Sequence, residues 1–250
     1  MRRFEDKVVL VTGAASGIGK ATALRFGAEG AHVAAADRNV EGAEATAAAI
    51  REAGGDAIGV ACDVADQASA KAAVASTVAR YGRLHVLASV AGVGGFARTI
   101  DETFEHWNQL IAVNLTGTFL MCQNALPHIL ETKGSIVTTA STAGLKSHPY
   151  AAAYCASKGG VVMLTRALAV EYARKGVRIN CVCPGGVDTP ILQQFSLPPG
   201  GSQAQLMRIA PLLDRMGTPA EIAGAIAFLA SDDASYVNGS IFVVDGAMTT

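Results

Sequence analysis

Between Lys7 and Glu29 a short β-branched run passes without a linker into Thr12-Gly13-Ala14-Ala15-Ser16-Gly17-Ile18-Gly19, which opens directly into an alanine-rich helical stretch. A strand that feeds a helix through so tight a turn commits the chain to a βαβ beginning. Glycines permit the turn and let the backbone approach a pyrophosphate with no side chain between. The helix then offers that anion unpaired N–H groups and the positive end of its dipole. A glycine-rich turn alone is a weak signal, but one set between strand and helix is a dinucleotide-binding signature. Gly13, Ser16, Gly17, Ile18 and Gly19 are its predicted contacts.

Further along, strand-like and helix-like segments alternate. Strands are predicted at Ala31–Ala36, Ala57–Cys62, Leu84–Ser89, Ser135–Ala140, Val177–Cys183 and Ser240–Val244. Helices are predicted at Val40–Ala53, Asp66–Arg80, Phe104–Val113, Leu115–Glu131, Ala151–Lys175 and Pro219–Ala230. This alternation predicts an α/β fold, a single doubly wound parallel sheet of about seven strands with helices on both faces. No Pro/Ser-rich linker divides residues 1–250, so one domain is expected. The exception is Thr189–Gly217, which carries Pro190, Pro198, Pro199, Gly200, Gly201 and Pro211. An irregular stretch of that length reads as a lid. Its apolar members Ile191, Leu192, Phe195 and Leu197 could close over a ligand or anchor a passive loop.

The charge balance excludes whole classes of partner. Twenty basic residues stand against 21 acidic ones, with no basic cluster, so a nucleic-acid backbone is not the expected ligand. No segment has the roughly 18 uninterrupted apolar residues of a spanning helix, and the N-terminal apolar run is too short for a signal peptide. The five cysteines form no Cys-x-x-Cys, which fits reduced thiols and a cytoplasmic protein. The five histidines lack metal-ligand spacing, so no metal site is expected.

Asp37 ends the second predicted strand about 20 residues past the glycines, where a carboxylate accepts hydrogen bonds from the adenosine ribose. It would repel the 2′-phosphate of NADP and so favours NAD. Arg38 beside it pulls the other way. Asp63, after the third strand, suits the adenine amino group, or equally a helix N-cap. Tyr154 and Lys158 stand one helical turn apart on one face. A cation near a phenol favours the phenolate, which makes Tyr-x-x-x-Lys a plausible general acid/base for an alcohol oxygen. A packed tyrosine and a solvated lysine would give the same spacing.

Taken in order, these motifs resemble the short-chain dehydrogenase/reductase family over essentially the whole chain. The matching segments are Thr12–Gly19, Asn114, Ser141, Tyr154 with Lys158, Pro184-Gly185, Thr189 and the ending Val244-Asp245-Gly246-Ala247. The resemblance implies a catalytic set of Asn114, Ser141, Tyr154 and Lys158. It implies that Lys158 lowers the pKa of Tyr154, and that Asn114 links Lys158 to a proton exit through a water. It further implies cofactor contacts at Cys62, Asp63, Val64, Ala91, Gly92, Asn114, Tyr154, Lys158, Pro184, Gly185, Val187 and Thr189. The substrate wall is expected from Phe96, Leu145, His148, Ile191 and Phe195, with Ser141 and Tyr154 at the reacting oxygen. Mostly apolar, that wall suits a hydrophobic or ring-bearing secondary alcohol or ketone, and the family implies a homotetramer. One departure stands out: the family's Asn-Asn-Ala-Gly is here Ser89-Val90-Ala91-Gly92. It puts the local hydrogen bonding in question. The alternatives are an NADPH-dependent 3-oxoacyl-carrier reductase and a nucleotide-sensing binding protein. A methyltransferase would have no use for Ser141, Tyr154 or Lys158.

Overall fold

Seven strands form one parallel sheet in the order β3-β2-β1-β4-β5-β6-β7 in a computed structural model that describes residues 2–210 and 212–250. The strands are β1 (Val8–Thr12), β2 (His32–Asp37), β3 (Asp56–Ala61), β4 (Val86–Ser89), β5 (Ser135–Thr139), β6 (Arg178–Pro184) and β7 (Ile241–Val244). The helices are α1 (Gly17–Ala28), α2 (Val40–Glu52), α3 (Gln67–Tyr81), α4 (Phe104–Leu110), α5 (Gly117–Thr132), α6 (Ala152–Tyr172), α7 (Gln203–Leu206) and α8 (Pro219–Ala230).

Alternation within each strand builds two cores. In β1, Val9 and Val11 face a layer that holds Ala23 and Phe26 of α1, Ile50 of α2, and Ile222 and Ile226 of α8. Val8 and Leu10 face the opposite layer with Val74 of α3 and Met121, Ala125 and Ile129 of α5. Every residue of β1 is buried, as a strand covered on both sides must be. Small residues set the spacing of the layers: Gly27 of α1 lies against Ile50, whose Cγ2 would be 2.6 Å from an added Cβ.

Strand order reverses between β1 and β4. Such a switch point leaves a crevice at the carboxyl ends of the strands, because the connecting helices depart to opposite faces. The two loops there nearly touch, with a Cβ on Gly13 falling 2.9 Å from Ala91 Cα.

Two expectations are revised. The segments read as separate helices at Phe104–Val113 and Leu115–Glu131 form one continuous rod, in which α4 passes into α5 through a π-helical turn at Ile111–Thr116. Asn114 sits in that turn, fully buried, and bonds outward to another loop. The irregular stretch Thr189–Gly217 carries local order: 3₁₀ turns at Pro190–Gln194 and Met207–Ile209, and α7 between them. Pro211, inside the expected lid, lies outside the described residues. Among the described residues no helix is long and apolar enough to cross a membrane, and no group of three His, Cys, Asp or Glu is placed to hold a metal.

Candidate active site

The glycine-rich turn owes its shape to positions that a side chain would block. Gly13 (φ +71°) and Gly17 (φ +52°) take left-handed conformations, and a Cβ on Gly19 would lie 2.0 Å from the Gly13 carbonyl oxygen. This bare backbone is the cradle that an anion at the N-terminus of α1 requires, so the residues present fit a dinucleotide. From it runs a cleft of about 470 Å³ lined by Gly13, Ser16–Gly19, Asp37, Arg38, Cys62–Ala65, Val90–Val93, Gln109, Ala112, Val113, Thr189–Ile191 and Gln194.

Within the cleft, Asp37 is fixed by its own backbone surroundings. Its Oδ2 accepts from the Ala15 N–H at 3.0 Å and its Oδ1 from the Asn39 N–H at 2.9 Å, which aims the carboxylate at the rim. Asp63 Oδ1 accepts from the Ala65 N–H at 3.0 Å, whereas Asp66 caps α3 by accepting from Ser69 N–H at 2.7 Å. The capping alternative for Asp63 therefore falls to Asp66. Cys62 is buried with its thiol toward Met121 Sδ at 3.8 Å, so it offers the cleft only backbone.

The departure at Ser89–Gly92 has a local remedy. Thr12 Oγ1, at the end of β1, accepts the N–H groups of both Val90 and Ala91 at 3.0 and 3.1 Å. Asn114 secures Val93, two residues on, accepting from its N–H at 2.9 Å and donating to Val93 O and Ser157 Oγ at 3.0 Å each. A side-chain amide from the π-helical turn thus holds the loop that the altered motif does not.

Ser141, Tyr154 and Lys158 come together beside this loop. Ser141 follows β5 in extended conformation, its Oγ accepting from Ala143 N–H at 3.1 Å. Lys158 Nζ donates to Thr139 O at 3.0 Å and stands 5.9 Å from the Tyr154 ring centre. An added Cβ on Gly92 would lie 3.1 Å from Asn114 Oδ1 and 3.3 Å from Lys158 Nζ, so both polar atoms stand just behind the cleft wall. Pro184, Gly185 and Val187 extend the wall beyond β6 without lining the cleft: Gly185 packs on Asp245, and the buried Val187 pairs with Gly217.

The electrostatics run against one expectation. Burial pushes Tyr154 up to about 12, opposed by the neighbouring Ser141 hydroxyl. Burial also pulls Lys158 down to about 8, opposed by the thiols Cys181 and Cys183. Burial raises the phenol and lowers the ammonium alike, because removing water penalises both charged forms.

The segment expected to form a lid covers Tyr154. Phe195 meets Tyr154 edge to face with ring centres 5.2 Å apart, and Phe96 in the same manner at 4.9 Å. Gln194 Oε1 accepts from Gly94 N–H at 2.8 Å, and Tyr150 Oη donates to Gln205 Oε1 at 2.6 Å while accepting from Ser202 N–H at 2.7 Å. Tyr150 makes those bonds from a left-handed backbone (φ +63°), the kind of strain found at ligand clamps. Of the predicted substrate wall, Phe96 and Phe195 are assembled at Tyr154, Ile191 lines the dinucleotide cleft, and Leu145 is exposed. His148 Nε2 approaches Thr142 Oγ1 at 3.5 Å, and burial holds it down to about 4, hence neutral. The sequence reading missed Gln194 and Gln109, for no local pattern marks either.

An open dinucleotide cleft that ends against a buried Ser-Tyr-Lys cluster defines a nucleotide-dependent oxidoreductase site. A family model described as enoyl-(acyl carrier protein) reductase matches residues 13–249. The chain is 44% identical to D-threitol dehydrogenase of Mycolicibacterium smegmatis, over 99% of its own length and 94% of that protein's. It is 42% identical to cyclohexanol dehydrogenase of an Acinetobacter species, over 99% and 97%. The solved 3-ketoacyl-(acyl-carrier-protein) reductase of Brucella melitensis, complexed with NADH, superposes with a TM-score of 0.89 at 34% identity, covering 98% of this chain and 99% of that one. The protein belongs to the short-chain dehydrogenase/reductase family.

Proposed function

We propose that the protein interconverts a secondary alcohol and a ketone, with NAD(H) as the preferred dinucleotide. The observation that carries this reading is the junction of the glycine-cradled cleft with Ser141, Tyr154 and Lys158. When bound, the nicotinamide supplies the hydride acceptor or donor. Gly13–Gly19 and the N-terminus of α1 bind the pyrophosphate, and Asp37 takes the ribose hydroxyls. Ser141 holds the substrate oxygen and Tyr154 exchanges its proton. Lys158 lies behind Gly92, within reach of a ribose in the cleft, and assists Tyr154 once a ligand has replaced Phe195. Asn114 fixes the Val93 loop, and its role in a proton exit belongs to this proposal.

The names of the relatives support the chemistry: one acts on an acyclic polyol and another on a cyclic alcohol. The neighbour solved with NADH supports the cofactor, as does the carboxylate of Asp37 at the rim. Exposed Phe119 on α5 and exposed Met163 and Val170 on α6 support assembly as a homotetramer through these helices. The expected segment Thr189–Gly217, in its described residues 189–210 and 212–217, is proposed to be the substrate lid. A panel of secondary alcohols and ketones followed at the NADH absorbance, with NAD and NADP in parallel, tests the reading. Turnover of some member with NAD favoured is expected, and none with either dinucleotide would refute it.

A further inference from the structure

Tyr154 does not line the cleft, and its ring is met edge to face by that of Phe195. Phe195 closes the 3₁₀ turn Pro190–Gln194, its N–H donating to Leu192 O at 3.1 Å, and its ring leaves the lid to join the cluster of Tyr154, Phe96 and Val93. Its seat is Gly94. A Cβ there would lie 2.1 Å from Phe195 Cζ and 2.3 Å from Cε2, so the phenyl fills the space a side chain would have taken. Gly94 is buried, and its N–H donates to Oε1 of Gln194, the neighbour of Phe195, so one hydrogen bond ties the seat to the segment that carries the ring. Two aromatic edges and a bare backbone make a slot one ring deep. It ends on the phenol that must receive the substrate's proton.

We propose that Phe195 is a displaceable plug occupying the substrate's place, and that Gly94, Phe96 and Tyr154 select alcohols whose carbinol carbon lies in or beside a six-membered ring. This inference rests on the dehydrogenase reading and narrows its substrate class. A ring of the same cross-section satisfies the slot as the phenyl does, with edge contacts to Phe96 and no competing side chain at residue 94. An unbranched chain leaves part of it empty. Gly94 and Phe195 are specificity-determining residues here, not proton carriers.

The test combines kinetics with a direct view of the plug. With saturating NAD, cyclohexanol and 2-butanol are compared in the wild type, Gly94→Ala and Phe195→Ala. Gly94→Ala is expected to lower kcat/KM for cyclohexanol by at least about tenfold, as a methyl in a filled site does, and to move 2-butanol by less than about threefold. Phe195→Ala is expected to lower KM for cyclohexanol, since a competitor for the slot is gone. A rise in KM for both alcohols would instead make Phe195 a wall of the bound state and overturn the proposal. Independently, 4-fluorophenylalanine placed at 195 is observed by fluorine NMR in the NAD complex with cyclohexanone or 2-butanone. Cyclohexanone is expected to shift the resonance towards a mobile, solvated environment, and an unmoved resonance overturns the plug. Because this readout needs no turnover, it separates failure of the plug from failure of the dehydrogenase reading.

Discussion

The two ends of the active-site cleft are prepared in opposite ways. At the pyrophosphate end everything is local: β1 runs into the turn, the turn into α1, and the glycines leave a cradle already in its binding shape. At the reacting end the shape is made by parts far apart in the chain, with Gly94, Phe96, Tyr150, Tyr154 and Gln194 meeting across the lid. The first end is open and built of bare backbone, and the second is filled by the protein itself. Rigid backbone suits a ligand common to many reactions, whereas a surface that must admit different alcohols is better built from side chains that move.

That contrast can be broken or sharpened by substitution. The largest effect is expected at the filled end. Tyr154→Phe removes the proposed acid/base and should lower kcat by about 10²–10⁴ or more, with NADH binding retained in a fluorescence titration. Residual activity within about tenfold of wild type would show that the phenol is not the acid/base. Next comes the open end. Gly19→Ala forces a methyl to within 2.0 Å of the Gly13 carbonyl, so the turn must deform. NADH affinity should fall at least about tenfold and the thermal midpoint should drop, since overpacking typically costs about 1–3 kcal/mol. An unaltered dissociation constant would mean that the cradle is softer than its geometry implies.

Asp37→Ala should act more selectively. It removes a charge that repels a 2′-phosphate, so the ratio of kcat/KM for NAD over NADP should fall while the activity of the better cofactor survives. A ratio that stays put would take the ribose contact away from Asp37. The smallest effect is a slope in stability. Burial holds His85 and His148 at about 4, below the ordinary imidazole value of about 6.5. Between those values the unfolded chain binds more protons than the folded one, so stability present above pH 6.5 is lost as the pH falls towards 4. Thermal midpoints measured across that window should decline in the wild type and decline less in His85→Asn/His148→Asn. Parallel curves would remove these two imidazoles from the acid transition.

The sequence made the open end legible and left the closed end dark. Seven strands and the helices between them follow from hydrophobic periodicity; the strand ends shift by two residues at most, as at β4, which starts at Val86 rather than Leu84, while α6 stops at Tyr172 rather than Lys175. Ser141, Tyr154 and Lys158 could be located from motif order. The merging of α4 and α5 could not, for no local pattern marks the π-helical turn, and its buried Asn114 finds its partners Val93 and Ser157 at 21 and 43 residues' distance. Gln194 and Gly94 are 100 residues apart, and Tyr150 lies 52 from Ser202, so nothing nearby in the chain announces either clamp. The upward shift of Tyr154 is not legible in the sequence for the same reason: a lysine four residues away is visible there, and burial beneath a ring from position 195 is not.

The left-handed backbone at Tyr150 carries one more implication. That residue holds Ser202 and Gln205 with its hydroxyl while its own carbonyl accepts from Ala97 N–H at 2.8 Å, so one strained link ties the two rims of the entrance together. A left-handed residue that carries bonds at both its hydroxyl and its carbonyl couples two segments more than 50 residues apart in the chain, so a substitution at position 150 is felt at Ala97 and at Ser202 alike.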